Sequence, residues 1–285
     1  KKMHENAAVV SKTENIKILT IDSRFTNFKQ PTVENATNNQ IIEVPGLPPD
    51  AVKEYYVTFT DTTTPGSITF NDDTECDILV VGGGGSSYIS SGGGAGGYVY
   101  HKQKYLKKGT YTITVGKGGD AGGNNGEDST FIGEDEYIIA YKGYSGNNIE
   151  SYTDQIGSGP GRNFDKPQAI KPITLVPAQG YIGGKTTRTS YGSGGGGGGA
   201  GGIGGDPVNF STQGSSYVEK GGNGGIGVQN DITGEMIYYA GGGAGGTNTN
   251  GQLPTNDGIP TGGLGGGGNG NTNFNLNGTD GVDGL

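Results

Sequence analysis

Several short stretches carry residues spaced for chemistry. Gly82, Gly84 and Ser87 follow the hydrophobic run Cys76-Asp77-Ile78-Leu79-Val80-Val81, a spacing close to the turn that cradles a dinucleotide pyrophosphate. That turn needs a helix behind it and an acid about 20 residues on. Here Ser86-Ser87-Tyr88-Ile89-Ser90-Ser91 leads only into more glycine, Gly92 to Gly97. Gly183-Gly184-Lys185-Thr186 ends like a phosphate-binding loop, but Gln179 stands where the first glycine is required. Gly122 to Asp128 and Gly278 to Asp283 faintly suggest glycine–aspartate calcium repeats, but neither keeps the nonapeptide spacing, so both read as solvated turns. The two histidines, His4 and His101, lie far apart with no clustered carboxylates, which leaves zinc chemistry and His-based triads unsupported. Asp72 and Asp73, near Glu75 and Asp77, read as a charged turn and strand edge. Cys76 is the single cysteine, which excludes an internal disulfide framework and a CxxC metal site. The expectation is a non-enzyme with no catalytic residue, no cofactor and no metal.

Two further sets of residues bear on surface chemistry. Asn35, Asn209 and Asn277 head N-x-[ST] sequons and are glycosylation acceptors wherever the host modifies surface proteins. Tyr144, Tyr152, Tyr181 and Tyr191 could stack on sugars, with ordinary packing as the competing role. The net charge of -9 argues against nucleic acid and anionic membranes as partners. No run reaches the ~18 apolar residues of a membrane helix, so no membrane insertion is expected. The start, Lys1-Lys2-Met3-His4, reads as a processed or internal beginning.

The elements that must position these residues are strands. Hydrophobic residues make up 30% of the chain and charged residues 16%, so a conventional core uses only part of it. Residues 1–45 form a polar arm with one strand, Ile16 to Ile21, apolar on both faces through Ile16, Ile18, Leu19 and Ile21. Pro45-to-Pro49 punctuation marks a boundary. Residues 46–180 read as a meander of short strands: Tyr55–Thr60, Ser67–Phe70, Cys76–Val81, Tyr98 towards Leu106, Thr110–Val115, Ser129–Ile132 and Tyr137–Tyr141. No segment has capped helical periodicity, so the fold class is all-β, an antiparallel β-sandwich. In residues 181–285 only Glu235 to Ala240 reads as a strand.

Between the strands lies glycine, 62 of the 285 residues, in blocks that begin at Gly82 and recur after Val115 and Ala240. Such composition usually means disorder, because glycine loses the most backbone entropy on folding. Collagen is excluded, since the glycines are contiguous rather than every third residue and proline totals 12. One ordered form remains. Polyglycine II chains share the polyproline II geometry, three residues per turn and about 3.1 Å rise, and can bond side by side in a hexagonal array. Glycine is then required wherever another helix faces, and isolated Ala, Asn, Ser or Ile residues would mark surface-facing positions.

The order of motifs carries a resemblance. Glu75-Cys76-Asp77-Ile78-Leu79-Val80-Val81-Gly82-Gly83-Gly84-Gly85, then Gly92-Gly93-Gly94-Ala95-Gly96-Gly97-Tyr98-Val99-Tyr100, Leu106 to Gly119 and Gly126-Glu127-Asp128-Ser129-Thr130-Phe131 are similar to the glycine-rich domain of phage tail-fibre and large-DNA-virus surface proteins. It is distantly like the glycine-rich ectodomain of anaplastic lymphoma kinase. The resemblance covers roughly residues 50 to 285. It implies a β-sandwich with an inserted glycine-rich polyglycine II helix bundle, an extracellular, cell-surface or virion-surface setting, and no enzymatic activity. Such domains commonly finish with a last hydrophobic strand, whereas this sequence stops at Gly281-Val282-Asp283-Gly284-Leu285. Either the native protein continues further, or the missing strand comes from elsewhere; the strand Ile16 to Ile21 is a candidate for the second role, in its own chain or a neighbour's. The leading expectation is therefore a structural fibre or filament subunit that self-associates into a homopolymer or homo-oligomer. The alternative is an adhesin presenting loops to a glycan or host-surface receptor.

Overall fold

The computed structural model describes residues 16–19, 30–37, 40–43, 45, 54–146, 157–162, 178–186, 193–211, 218–249, 259–271, 278–279 and 281. Among these residues there is no α-helix, and fifteen strands form four antiparallel sheets. The first five-stranded sheet has the order β3 (Ile42–Glu43), β4 (Tyr55–Phe59), β1 (Ile16–Leu19), β6 (Thr74–Val81), β7 (Tyr98–Leu106). The second has the order β10 (Tyr137–Ala140), β9 (Ser129–Ile132), β8 (Gly109–Thr114), β5 (Gly66–Phe70), β2 (Thr32–Glu34).

Alternation in sequence sets which face is covered. In β8, Tyr111 and Ile113 are buried while Thr110, Thr112 and Thr114 are exposed, the pattern of a strand with one face in water. Val57, Phe59, Ile78 and Val80 of the first sheet share one core with Ile68, Phe70, Tyr111, Ile113 and Phe131 of the second. Tyr111 stacks on Phe131 at 4.9 Å and meets Phe70 edge-on at 5.9 Å. The β6 strand differs, because its run Ile78-Leu79-Val80-Val81 is apolar without alternation. Both of its faces are covered: Ile78 and Val80 enter the shared core, while Leu79 and Val81 join a second cluster with Ala95, Ile232, Tyr239 and Ala240.

The arm is less separate than its composition suggests. Its β1 strand lies inside the first sheet, antiparallel to β4 and β6, and β2 and β3 pair with β5 and β4. Ile21 lies outside the described residues. The last third also holds more strands than Glu235 to Ala240. There β11 (Val208–Ser211), β12 (Val218–Lys220) and β15 (Asn248–Thr249) form a three-stranded sheet, and β13 (Val228–Asn230) pairs with β14 (Ile237–Tyr239). Strands of two to four residues are too short to show a period. The β13–β14 turn is closed by the Gly234 N–H on the Asp231 carbonyl at 2.7 Å, with Gly234 at φ 84°.

Candidate functional site

The part of the molecule most unlike an ordinary β protein is built from backbone alone. Each N–H from Gly194 to Ala200 donates to a carbonyl on another segment, and the acceptors change in a fixed rotation. Gly194, Gly197 and Ala200 donate to Gly246, Gly243 and Ala240; Gly195 and Gly198 to Arg162 and Gly159; Gly196 and Gly199 to Gly205 and Gly202. The carbonyls do the same. Those of Gly195 and Gly198 accept from Gly92 and Ala95, those of Gly194 and Gly197 from Gly222 and Gly225, and those of Gly196 and Gly199 from Gly184 and Tyr181. Groups three residues apart thus bond to one neighbour, and the tract is surrounded by six.

The pattern extends outward. In Gly92 to Gly97 the N–H groups of Gly94 and Gly97 reach Tyr144 and Tyr141, while the carbonyls of Gly94 and Gly97 accept from Gly85 and Gly82. In Gly241 to Gly246, Gly242 and Gly245 donate to Gly225 and Gly222, and Gly243 and Gly246 to Gly93 and Ser90. The tract after Val115 touches the one after Val81 through Gly119 N–H on Gly84 O at 2.8 Å. The tract after Ala240 is separated from Gly82 to Gly85 by Gly92 to Gly97, to which both bond.

Glycine is needed here for space and not for backbone freedom. Among the described residues, glycines at positive φ are Gly109, Gly122, Gly123, Gly234, Gly265 and Gly266, none of them in Gly92–Gly97, Gly194–Gly199 or Gly241–Gly246. A Cβ on Gly197 would lie 1.9 Å from the Gly93 carbonyl oxygen, and one on Gly196 would lie 1.9 Å from that of Asn223. Some residues other than glycine mark faces open to water. Ile203 (64% exposed), Ile226 (41%) and Leu264 (58%) face water on adjoining outer segments. Ala95, Ala240 and Ala244, however, are buried, which corrects the expectation that such residues are surface-facing. Ala95 and Ala240 turn into the side-chain cluster against β6, where a methyl has room.

The residues singled out for chemistry are engaged in structure. The amides of Gly82, Gly83 and Gly85, which a phosphate would need, already donate to Gly97, Glu127 and Gly94. In the second loop, Gly184 N–H donates to Gly196 O and Lys185 N–H to Asp206 Oδ1 at 2.6 Å. Asp73 accepts from Tyr105 Oη at 2.7 Å, Lys108 N at 2.8 Å and Lys107 Nζ at 3.2 Å. The Tyr105 hydroxyl, then the Lys108 amide and Lys107, hold its carboxyl down to about 2. Asp77 accepts from Tyr100 Oη and from Gln103 N, the latter at 2.8 Å, bracing a bulge where Gln103 sits at φ 51°. Burial, then Lys104, lowers the pKa of His101; His4 lies outside the described residues. Cys76 is buried, and its thiol is pushed up to about 12 by desolvation, then by Asp77 and Glu75. Among the described residues no group of three or more His, Cys, Asp and Glu is placed to hold a metal ion.

Of the surface candidates, Asn35 is exposed at φ 54° with its Nδ2 donating to Pro65 O at 3.0 Å. Asn209 lies in β11, and Asn277 falls outside the described residues. Tyr181 is 46% exposed, whereas Tyr144 is buried at 4%, with its carbonyl and amide spent on Gly94 and Ser158. Tyr152 and Tyr191 lie outside the described residues.

A family model for a glycine-rich domain matches residues 60–285. The chain belongs to this family. No curated protein and no solved structure matches it. The matched part of the glycine-rich domain starts just after β4 and takes in every glycine tract described above, so the three-residue hydrogen-bond rotation falls wholly within it. The rotation had a signal in sequence, namely contiguous glycines entered from apolar strands. The six-neighbour centre at Gly194 to Ala200 had none, because its partners are scattered from Gly92 to Gly246.

Proposed function

We propose that the chain is a non-enzymatic structural protein, a subunit of an extracellular or virion-borne fibre. The two five-stranded sheets act as a β-sandwich, and the glycine tracts act as a bundle of polyglycine II helices packed on it. The observation that carries this reading is the tract Gly194 to Ala200, where hydrogen bonds return to the same neighbour every third residue. Three residues per turn is the polyproline II period, and the negative φ of these glycines agrees with it. Each central glycine makes two backbone bonds, worth about 1 kcal/mol net apiece. That balances a backbone entropy cost of roughly 1–2 kcal/mol per residue, so the bundle stands only as a cooperative whole. A body held this way offers a protease no extended strand without unravelling several neighbours, which suits a part exposed outside cells.

Electron microscopy of the purified full chain, with and without prolonged protease treatment, tests this. Fibres whose glycine region survives digestion are expected; globular particles cut within the glycine tracts would contradict it. The adhesin reading has one observation in its favour, the exposed Tyr181, Ile203, Ile226 and Leu264 on adjoining outer segments. Binding of single subunits to arrayed glycans or host surfaces, without fibres, would favour it.

A further inference from the structure

The β1 strand occupies an unusual position. It is the first strand among the described residues, yet it lies inside a sheet, between β4 and β6. Both neighbours pair with it antiparallel along its whole length: Ile16 faces Phe59 and Val80, Lys17 faces Thr58 and Leu79, Ile18 faces Val57 and Ile78, and Leu19 faces Tyr56 and Asp77. Being antiparallel to the same strand, β4 and β6 run parallel to each other, and they connect through β5, which belongs to the other sheet. Chain 54–81 therefore builds a gap one strand wide, with two open backbone edges. Val57, Phe59, Ile78 and Val80 on its flanking strands belong to the shared core, and Leu79 and Tyr56 to the second cluster. Such a gap calls for an extended strand with apolar residues on both faces, and Ile16, Ile18 and Leu19 supply that sequence.

We propose that β1 is exchanged between subunits, the β4–β6 slot of one copy taking the Ile16–Leu19 strand of the next. The inference rests on the fibre-subunit reading above. The backbone pairs are the same whether the strand comes from the same chain or a neighbour, so exchange sacrifices no contact within the domain. The joining segment 20–31 can span up to about 40 Å at roughly 3.3–3.6 Å per residue, enough to reach an adjacent copy. The family match begins at residue 60, so β1 lies outside it, as do β2, β3 and the slot wall β4. Head-to-tail donation is heterologous, and with a rotation that does not close a ring it yields an open fibre and not a dimer.

The register supplies the test. Lys17→Cys and Thr58→Cys, partners in the β1–β4 pair, are placed on separate full-length chains, which are mixed, assembled and oxidised. Native Cys76, buried with its thiol near 12, stays protonated and out of the reaction. A disulfide-linked dimer of the two chains is expected, together with a ladder of multimers from the doubly substituted chain. Fibres in which the doubly substituted chain closes its disulfide within one chain, or in which mixed chains stay unlinked, would overturn the exchange and leave the fibre reading standing. Absence of fibres from the unsubstituted chain would overturn both. A second measurement needs no variant: a synthetic peptide of residues 12–24, in excess, is expected to compete for the slot and shorten growing fibres. Unchanged fibre length would count against the exchange.

Discussion

Single atoms decide the fate of the glycine tracts. Gly197 and Gly243 are hydrogen-bonded to each other at 2.8 Å, yet they differ in the room around them. A Cβ on Gly197 would meet the Gly93 carbonyl oxygen at 1.9 Å, a contact that only backbone movement can relieve, whereas one on Gly243 would find nothing nearer than 3.4 Å. Gly197→Ala is therefore expected to cost about 3 kcal/mol or more through overpacking. Gly243→Ala should be neutral or stabilise by up to about 1 kcal/mol, since alanine restricts the unfolded chain. Chemical denaturation of both variants checks the contrast, and equal effects would contradict it. Asp73 provides a pH test. Its folded pKa, about 2, lies below the ordinary value of 3.8, so the stabilisation is present above about 4 and is lost as pH falls from there through about 2. Asp73→Asn should lower stability at neutral pH and flatten the loss over that window, the two proteins converging below about 2. An unchanged acid profile would contradict the assignment.

At the scale of elements, β6 joins the two kinds of architecture. Ile78 faces the core shared by the two sheets, while Leu79 faces Tyr239, Ala240 and Ala95, where the glycine tracts begin and pass. Both side chains are fully buried, so Ile78→Ala and Leu79→Ala should each cost about 2–5 kcal/mol. Only Leu79→Ala should also speed amide exchange in the tracts around Ala95 and Ala240. Equal effects of the two on those amides would mean β6 does not couple the parts. This strand was legible in sequence because four apolar residues in a row demand cover on two sides. The alternating β8 was legible for the complementary reason. The short β2, β3, β11, β12, β13 and β15 were not, since two to four residues carry no period and their pairing is set by tertiary context. The rule that isolated non-glycine residues point outward held for Ile203 and Ile226 and failed for Ala95 and Ala240, because sequence cannot distinguish solvent from a neighbouring apolar cluster as the reason no tract approaches.

Across the whole molecule, the region with the fewest side chains is bonded to neighbouring backbone on every side. Ordinary cores exclude water by apolar burial; here Gly194 to Gly199 are buried by other backbones, with their polar groups satisfied by six neighbours. That arrangement also explains a composition that would otherwise spell disorder. The proposed strand exchange follows the same logic, since a domain completed by a neighbour's strand polymerises without refolding. Ile18→Pro, which removes a pairing N–H from β1, should leave the glycine region intact while abolishing fibres, and fibres formed by that variant would count against strand donation. The central claim is tested most directly by residue-resolved amide hydrogen exchange across Gly194 to Ala200 in the native protein. The account predicts exchange as slow as that of the β6 amides, through global unfolding only. Exchange at the rate of an unstructured glycine segment would contradict it.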